Sequence, residues 1–378
     1  MTQGAGASTG DRIRSLDITR GVAVMGIFSV NVIGMAMIKI AYFYPPAFGF
    51  DALGDKLTWL ANFFFIDGKL RSLFSIMFGA SLMLVIDRAI RAGRSPFRAH
   101  YARMLVLMMF GLAHFFILWW GDILTHYAAV GMVVYWFKRL SARKLFIIAA
   151  IGFLVNAGMS AYFSYQGLQK YELVQSGNGT AEDVKKFKEG RARLFPDAKT
   201  IAKDKADHAS IPAHFTSSVK DEGLLSPFDF GPLWLETMAL MILGMAGYKS
   251  GFLTGEWDDR RYRKVAATTL GIGALVYGFF AWWAWSHNFE PPYAFGAYGG
   301  YTPLFRPVVA MGYAALAILL TRRAGPFSER LAAVGRTAFS NYIGCTIIGT
   351  FLFFGFAGAS TPSYHAGRRG CSCRLSGR

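Results

Sequence analysis

An all-α membrane protein, a polytopic helix bundle of about nine spans with one broken helix and one extracytoplasmic insertion, is what the sequence predicts. Three observations carry that expectation. Hydrophobic residues make up 53% of the 378 residues and charged residues only 17%, against about 25% charge in a soluble domain. The apolar residues fall in long runs, and the mean hydropathy is +0.32. The Lys and Arg residues behind the formal charge of +17 sit in short clusters between those runs.

A helix crosses a bilayer with about 20 mostly apolar residues, and the runs are read against that length. The first covers 18–42 and ends in the turn-rich connector "YPPAFGFDALGD". It exceeds a signal-peptide core and has no convincing small-residue cleavage site, so it reads as a retained first helix. The second, 57–86, is about thirty residues long, too long for one straight span. Its interior, "FFFIDGKLRSLFSIMFG", holds Asp67, Lys69 and Arg71. A break at or near Asp67-Gly68 is expected there, with the charges turned into the bundle, because each would cost about 2.5–3.5 kcal/mol facing lipid.

Runs at 104–120, 123–137 and 145–165 follow; then 166–229 is polar and carries both signs of charge. That stretch reads as an extramembrane insertion. Runs resume at 233–248, 265–285, 305–320 and 337–356. The expected organisation is an N-terminus at 1–17, a first membrane bundle at 18–165, the insertion at 166–229, a second bundle at 230–356 and an atypical tail at 357–378. The tail is Arg-rich and polar, is expected to be disordered, and would be accounted for by truncation or a shifted reading frame.

The clusters "DRIRSLDITR", "DRAIRAGRSPFRAHYAR", "KRLSARK", "RRYRK" and "RRAGPFSERLAAVGR" alternate with connectors nearly free of Lys and Arg. Under the positive-inside rule they face the cytoplasm, with the N-terminus, and the insertion faces outward. They lack the interleaved aromatics of a nucleic-acid surface, so the partner is the lipid bilayer and not nucleic acid. Cys345, Cys371 and Cys373 are the only cysteines. No C-x-x-C pair or His/Cys cluster accompanies them, which argues against a metal site and a disulfide framework.

Ionisable residues inside spans mark functional sites by default, although pairing that fixes helix packing competes with that reading. Arg14, Asp17 and Arg20 are spaced i, i+3, i+6, which sets Asp17 beside both arginines at the mouth of the first span. They form either a boundary salt bridge or an anion-binding rim for a phosphorylated cofactor. Asp67 is placed to cap a helix starting near Gly68, and Lys69 and Arg71 beside a helix N-terminus suit an anion. Ser72 and Ser75 add hydroxyls. In "GLAHFFILWWGDILTHYAAVG", His114 lies deep in a span and Asp122 opens the next, with His126 four residues on and on the same helical face. A carboxylate beside an imidazole orients its tautomer and raises its basicity, as general-base chemistry requires. Glu236 and Arg306 lie toward the outer face, near an aromatic lip of Tyr293, Phe295, Tyr298 and Tyr301 that suits a sugar or lipid headgroup but also an ordinary interfacial belt.

The stretches "RSLDITRGVAVMGIFSVN", "DGKLRSLFSIMFG", "GLAHFFILWWGDILTHYA", "LGMAGYKSG" and "VGRTAFSNY" occur in order across nearly the whole chain. Together they resemble the YeiB-type membrane proteins, a family known as a domain of unknown function. That family is similar in turn to the transmembrane acyltransferases, including the lysosomal heparan-glucosaminide acetyltransferase, which has a similar "R-x-x-LD-x-x-RG" stretch. The resemblance implies a bacterial inner-membrane protein that transfers an acyl group from acyl-CoA, as co-substrate, to an envelope glycan or lipid acceptor. It also implies a far-side histidine after the first span, but the connector at 42–58 has none. His114 takes that role here as general base, with Asp122 orienting it and His126 nearby. Arg14, Asp17, Arg20 and Arg336 form the expected cofactor rim. Asn31, Asp67, Lys69, Arg71, Ser75, Glu236 and Arg306 are the expected substrate contacts. A transporter of a small solute or lipid-linked molecule, or a non-catalytic envelope scaffold, fits the same residues, since broken helices with midplane charges also build transporters.

Overall fold

The computed structural model describes residues 13–47, 50–229, 231–322 and 325–354. The expected tail at 357–378 lies outside them, as does most of the stretch before Arg14. Among the described residues there are helices and no strands. The first half comprises α1 (Arg14–Ala36), α2 (Lys39–Phe43), α3 (Leu53–Ala61), α4 (Lys69–Arg91), α5 (Pro96–Ala113), α6 (Leu124–Val134) and α7 (Ala142–Gln175). The insertion carries α8 (Ala181–Leu194), α9 (Ala198–Asp207) and α10 (Ile211–Ser217). The second half is α11 (Leu233–Lys249), α12 (Asp259–Ser286), α13 (Pro291–Phe295), α14 (Phe305–Thr321), α15 (Pro326–Arg336) and α16 (Ala338–Phe353).

Local chemistry starts several of these helices where the loops end. Ser95 accepts from the Arg98 amide with Pro96 at the first helical position, and Ser141 and Asp258 accept from the Lys144 and Arg261 amides. Each such cap satisfies a donor that the first helical turn leaves without a partner.

Each of the expected apolar runs falls on a helix, but length separates them. Among the described residues, five helical segments are long and apolar enough to cross a membrane: Arg14–Ala36, Leu53–Arg91, Pro96–Leu118, Ala142–Gln175 and Asp259–Ser286. A sixth is the pair Pro291–Gly300 and Phe305–Thr321, bent by 52°. The helices α6, α11 and α16 have 11, 17 and 16 residues and fall short of that length. The run expected to end at 165 continues as one helix to Gln175, so the start of the insertion extends α7.

The outer faces of α5, α7 and α12 carry exposed Leu105, Met109, Phe146, Ile151, Leu154, Phe163, Leu275, Phe279 and Trp282. A soluble monomer rarely exposes so continuous an apolar surface, and lipid is the environment in which it carries no penalty. These helices fit an integral membrane protein.

At the centre, α4 packs against α1, α5, α11 and α14. The approach to α11 is a contact between backbones. A Cβ on Gly79 would lie 1.9 Å from the Met241 carbonyl oxygen, and one on Gly244 would lie 1.9 Å from that of Ile76. α1 meets α15 in the same way, through Gly21 and Gly335.

Among the described residues, four helices end in a wider turn. The amides of Asp67, Trp119, Gly223 and Tyr301 donate to the carbonyls of Asn62, His114, Ser218 and Gly296, five residues back, at 2.8–3.1 Å. Such π-turns are frequent at functional sites. Three of them lie beside expected site residues.

The insertion folds over the end of the bundle away from Arg14. Glu222 forms an ion pair with Lys39, Arg191 lies 3.3 Å from Glu290, and the Phe195 ring meets Tyr44 edge-on. His214 Nε2 lies 3.2 Å from the Phe115 carbonyl oxygen. Burial pushes the His214 imidazole down to about 4, so it docks as the neutral ring.

Candidate functional site: a charged cluster between three cavities

The break in the second span is where the sequence places it. The chain turns extended at Asp67 (ψ 133°) and passes through a left-handed Gly68 (φ +69°) before α4 begins. Only glycine enters that conformation without strain. A side chain at this position would also meet the Arg306 guanidinium, with Nε 2.6 Å from an added Cβ. The expected cap is not formed. Gly68 is the cap residue and no side chain caps the helix. The Asp67 carboxylate turns away from the α4 amides because the Tyr298 hydroxyl donates to its Oδ1 at 3.2 Å.

The charges face the bundle, as expected. Lys69 is fully buried, and its Nζ donates to the carbonyls of Phe63 (2.5 Å) and Asp67 (3.2 Å). The ammonium also lies 3.4 Å from the centroid of the Tyr277 ring, a cation–π contact that partly replaces its lost water. Arg71 and Arg306 converge on Glu236. Arg71 Nη2 lies 2.9 Å from Oε2, and Arg306 Nη1 lies 3.3 Å from Oε1. Arg306 also donates to the Tyr298 carbonyl at 2.6 Å. Glu236, one α11 turn into the bundle, is therefore the anion that compensates the helix N-terminus, in place of Asp67. Ser75 donates to the Arg71 carbonyl and shares a 2.7 Å hydrogen bond with Tyr127.

The histidine group divides. His114 Nδ1 and Asp122 Oδ1 lie 3.1 Å apart, both buried. His126 is not part of the pair. Asp122 precedes α6 and accepts from the Leu124 and Thr125 amides (3.1 and 2.8 Å), so the i, i+4 relation on one helix does not exist. His126 Nε2 instead lies 2.9 Å from Thr237 Oγ1, and its ring packs edge-on against Trp234. At the first-span mouth, Asp17 reaches Arg20 (3.5 Å), but Arg14 turns to Glu329 (2.6 Å) because α15 lies against this end of α1.

Three cavities lie in a row through these residues. The first, about 310 Å³, is lined by Arg20, Arg103, Arg336, Phe74, Phe110 and Phe339, among others. The second, about 100 Å³, is lined by Asn31, Asp67 and Arg71, and shares Tyr127 and Tyr342 with the first. The third, about 140 Å³, is aromatic, with Phe43, Tyr44, Phe50 and Trp59, and shares Tyr42, Asp67 and Tyr298 with the second. Arg14 and His114 stand outside all three walls. Arg103, Tyr127 and Tyr342 were not anticipated. Arg103 reads as loop because the apolar run starts at Met104, whereas the helix starts at Pro96. No set of three or more His, Cys, Asp or Glu side chains among the described residues is arranged to hold a metal ion.

The family model described as "Protein of unknown function (DUF418)" matches residues 247–367. The chain is 28% identical over 354 residues to the uncharacterized protein YeiB of Escherichia coli (strain K12), covering 91% of this chain and 84% of that one. It is 27% identical over 363 residues to the uncharacterized protein YxaH of Bacillus subtilis (strain 168), covering 92% and 82%. An uncharacterized 39.9 kDa protein of Bacillus acidopullulyticus is 32% identical over 130 residues, about a third of each chain. No solved structure matches the chain. The similarity to YeiB spans 91% of the chain and supports the resemblance to the YeiB-type proteins that the motifs carry.

Proposed function

We propose that the protein transfers an acyl group from acyl-CoA to an envelope acceptor, a glycan or a lipid, across or at a bacterial inner membrane. The row of three cavities with shared walls supports this reading. Arg20, Arg103 and Arg336 line one end of that row and suit phosphates as charge-assisted donors. The aromatic cavity at the other end suits the acceptor. In the transfer, the acceptor's hydroxyl or amine attacks the thioester carbonyl, the C–S bond breaks, and the new acyl bond forms. The acceptor proton passes to His114 and from it to the coenzyme A sulfur, which leaves as the thiol. Supporting that role, His114 Nδ1 lies 3.1 Å from Asp122 Oδ1, and its ring lies beside Tyr342 of the cavity walls, with centroids 5.2 Å apart.

Calorimetry with acyl-CoA on purified protein tests the reading. Arg103→Ala or Arg336→Ala should each weaken binding about tenfold, the loss of one hydrogen bond to a charged group of about 1.5 kcal/mol. His114→Ala should leave binding intact and lower turnover about 10²–10⁴-fold. Asp122→Asn should act in the same direction, more mildly. Absence of both acyl-CoA binding and acylated product would sink the enzyme reading.

A charged cluster at a helix break, reached from both ends of the bundle, also favours a transporter. That reading expects no acyl-CoA dependence, and loss of flux on substitution of Asp67 or Lys69. Both readings place the N-terminus in the cytoplasm and the insertion outside. Single cysteines introduced in 181–194 should label with an impermeant thiol reagent from outside only. Labelling from the cytoplasm alone would reverse the placement of the arginine cavity.

A further inference from the structure

We infer that the central cavity is a binding site for one oxyanion group, a carboxylate or a phosphate monoester, held by Arg71 with the Tyr342 hydroxyl. The inference does not depend on acyl transfer, because a transporter would use the same site.

The first observation is an imbalance of charge. Three cations, Lys69, Arg71 and Arg306, share the cluster with two carboxylates, Asp67 and Glu236. Glu236 is divided between two arginines, and Lys69 is held by backbone carbonyls and an aromatic face rather than by a carboxylate. One added negative charge would balance the set. Buried charge in a membrane bundle is retained only where it is compensated.

The second observation concerns donors. Arg71 Nη1 is buried without a hydrogen-bond partner among the described residues, and the Tyr342 hydroxyl, set against the Ile123 backbone, has no acceptor for its proton among them. Both residues line the same cavity of about 100 Å³. Buried donors are almost always satisfied, and two open ones in one wall, one of them cationic, call for an acceptor with two oxygens. Asp67, in the same wall, is turned toward Tyr298, which donates to its Oδ1. The adjoining aromatic cavity can hold the apolar or ring portion of the molecule that bears the oxyanion. The shared chemistry has two sources, a soluble anion or the phosphate of a lipid headgroup.

The test is the thermal stability of purified protein in phosphatidylcholine nanodiscs, titrated with acetate and with inorganic phosphate. A parallel arm replaces phosphatidylcholine with phosphatidylglycerol and adds no anion. A rise in melting temperature of a few degrees is expected in at least one arm. A response to acetate or inorganic phosphate assigns a soluble anion, and a response to phosphatidylglycerol alone assigns the headgroup. The response should vanish in Arg71→Gln, which leaves Glu236 paired with Arg306. It should also weaken at least tenfold in midpoint concentration in Asn31→Leu, which fills the cavity without removing a charge. No response in any arm, or one that persists in both variants, overturns the assignment.

Discussion

Gly244→Val should leave little folded protein after detergent extraction, whereas Gly278→Ala should be neutral or slightly stabilising. The two glycines differ above all in what a side chain would meet. At Gly244 an added Cβ falls 1.9 Å from the Ile76 carbonyl oxygen, and at Gly278 nothing lies within 4 Å. A flexible side chain could yield; a helix carbonyl moves only with its helix. The Gly79–Met241 contact closes the same interface from the other side, so α4 and α11 must separate as units. Overpacking typically costs about 1–3 kcal/mol, and a clash with backbone belongs at or above the top of that range. Ala on an open helical face gains about 0.5–1 kcal/mol over Gly. Equal yields of monodisperse protein from the two variants would show that the α4–α11 contact is not as close as described. Glycine packing of this kind is how membrane helices approach closely without a hydrophobic drive between them.

Glu236→Ala should destabilise the protein by about 3–5 kcal/mol, because removing one member of a buried ion set leaves an uncompensated charge. Here it leaves two, Arg71 and Arg306, both of which depend on Glu236. Arg71→Ala should cost distinctly less, since Glu236 keeps Arg306. Thermal unfolding of both variants decides it. A larger loss for Arg71→Ala would mean that Glu236 is compensated elsewhere and that the cluster is not centred on it.

Much of this cluster was legible in the chain before any fold was known. Asp67, Lys69 and Arg71 interrupt an apolar run, and the cost of exposing them to lipid forces them inward, wherever their partners lie. The break follows from length and from Gly68. Their partners are not legible, because the Arg71–Glu236 and Tyr298–Asp67 contacts join residues separated by 165 and 231 positions. Sequence spacing informs only within a helix, and it misleads when the helix is not there. Asp122 and His126 have i, i+4 spacing, but Asp122 lies before the first turn and spends its carboxylate on α6 amides. Arg103 fails for a related reason. Hydropathy marks where the apolar run begins, whereas Ser95 and Pro96 mark where the helix begins, and Arg103 falls between.

The π-turns at Asn62–Ile66 and Gly296–Gly300 carry a consequence for how this bundle tolerates changes of chain length. A π-turn holds one residue more than the α-turn it replaces, so the surplus residue can be removed and the helix still closes. A deletion in an ordinary α-turn has no surplus residue to give up, and it rotates the helix beyond it by roughly 100°. A single-residue deletion inside Asn62–Ile66 should therefore disturb the cluster less than one inside α3 or α4, because the wide turn closes to an α-turn and absorbs it.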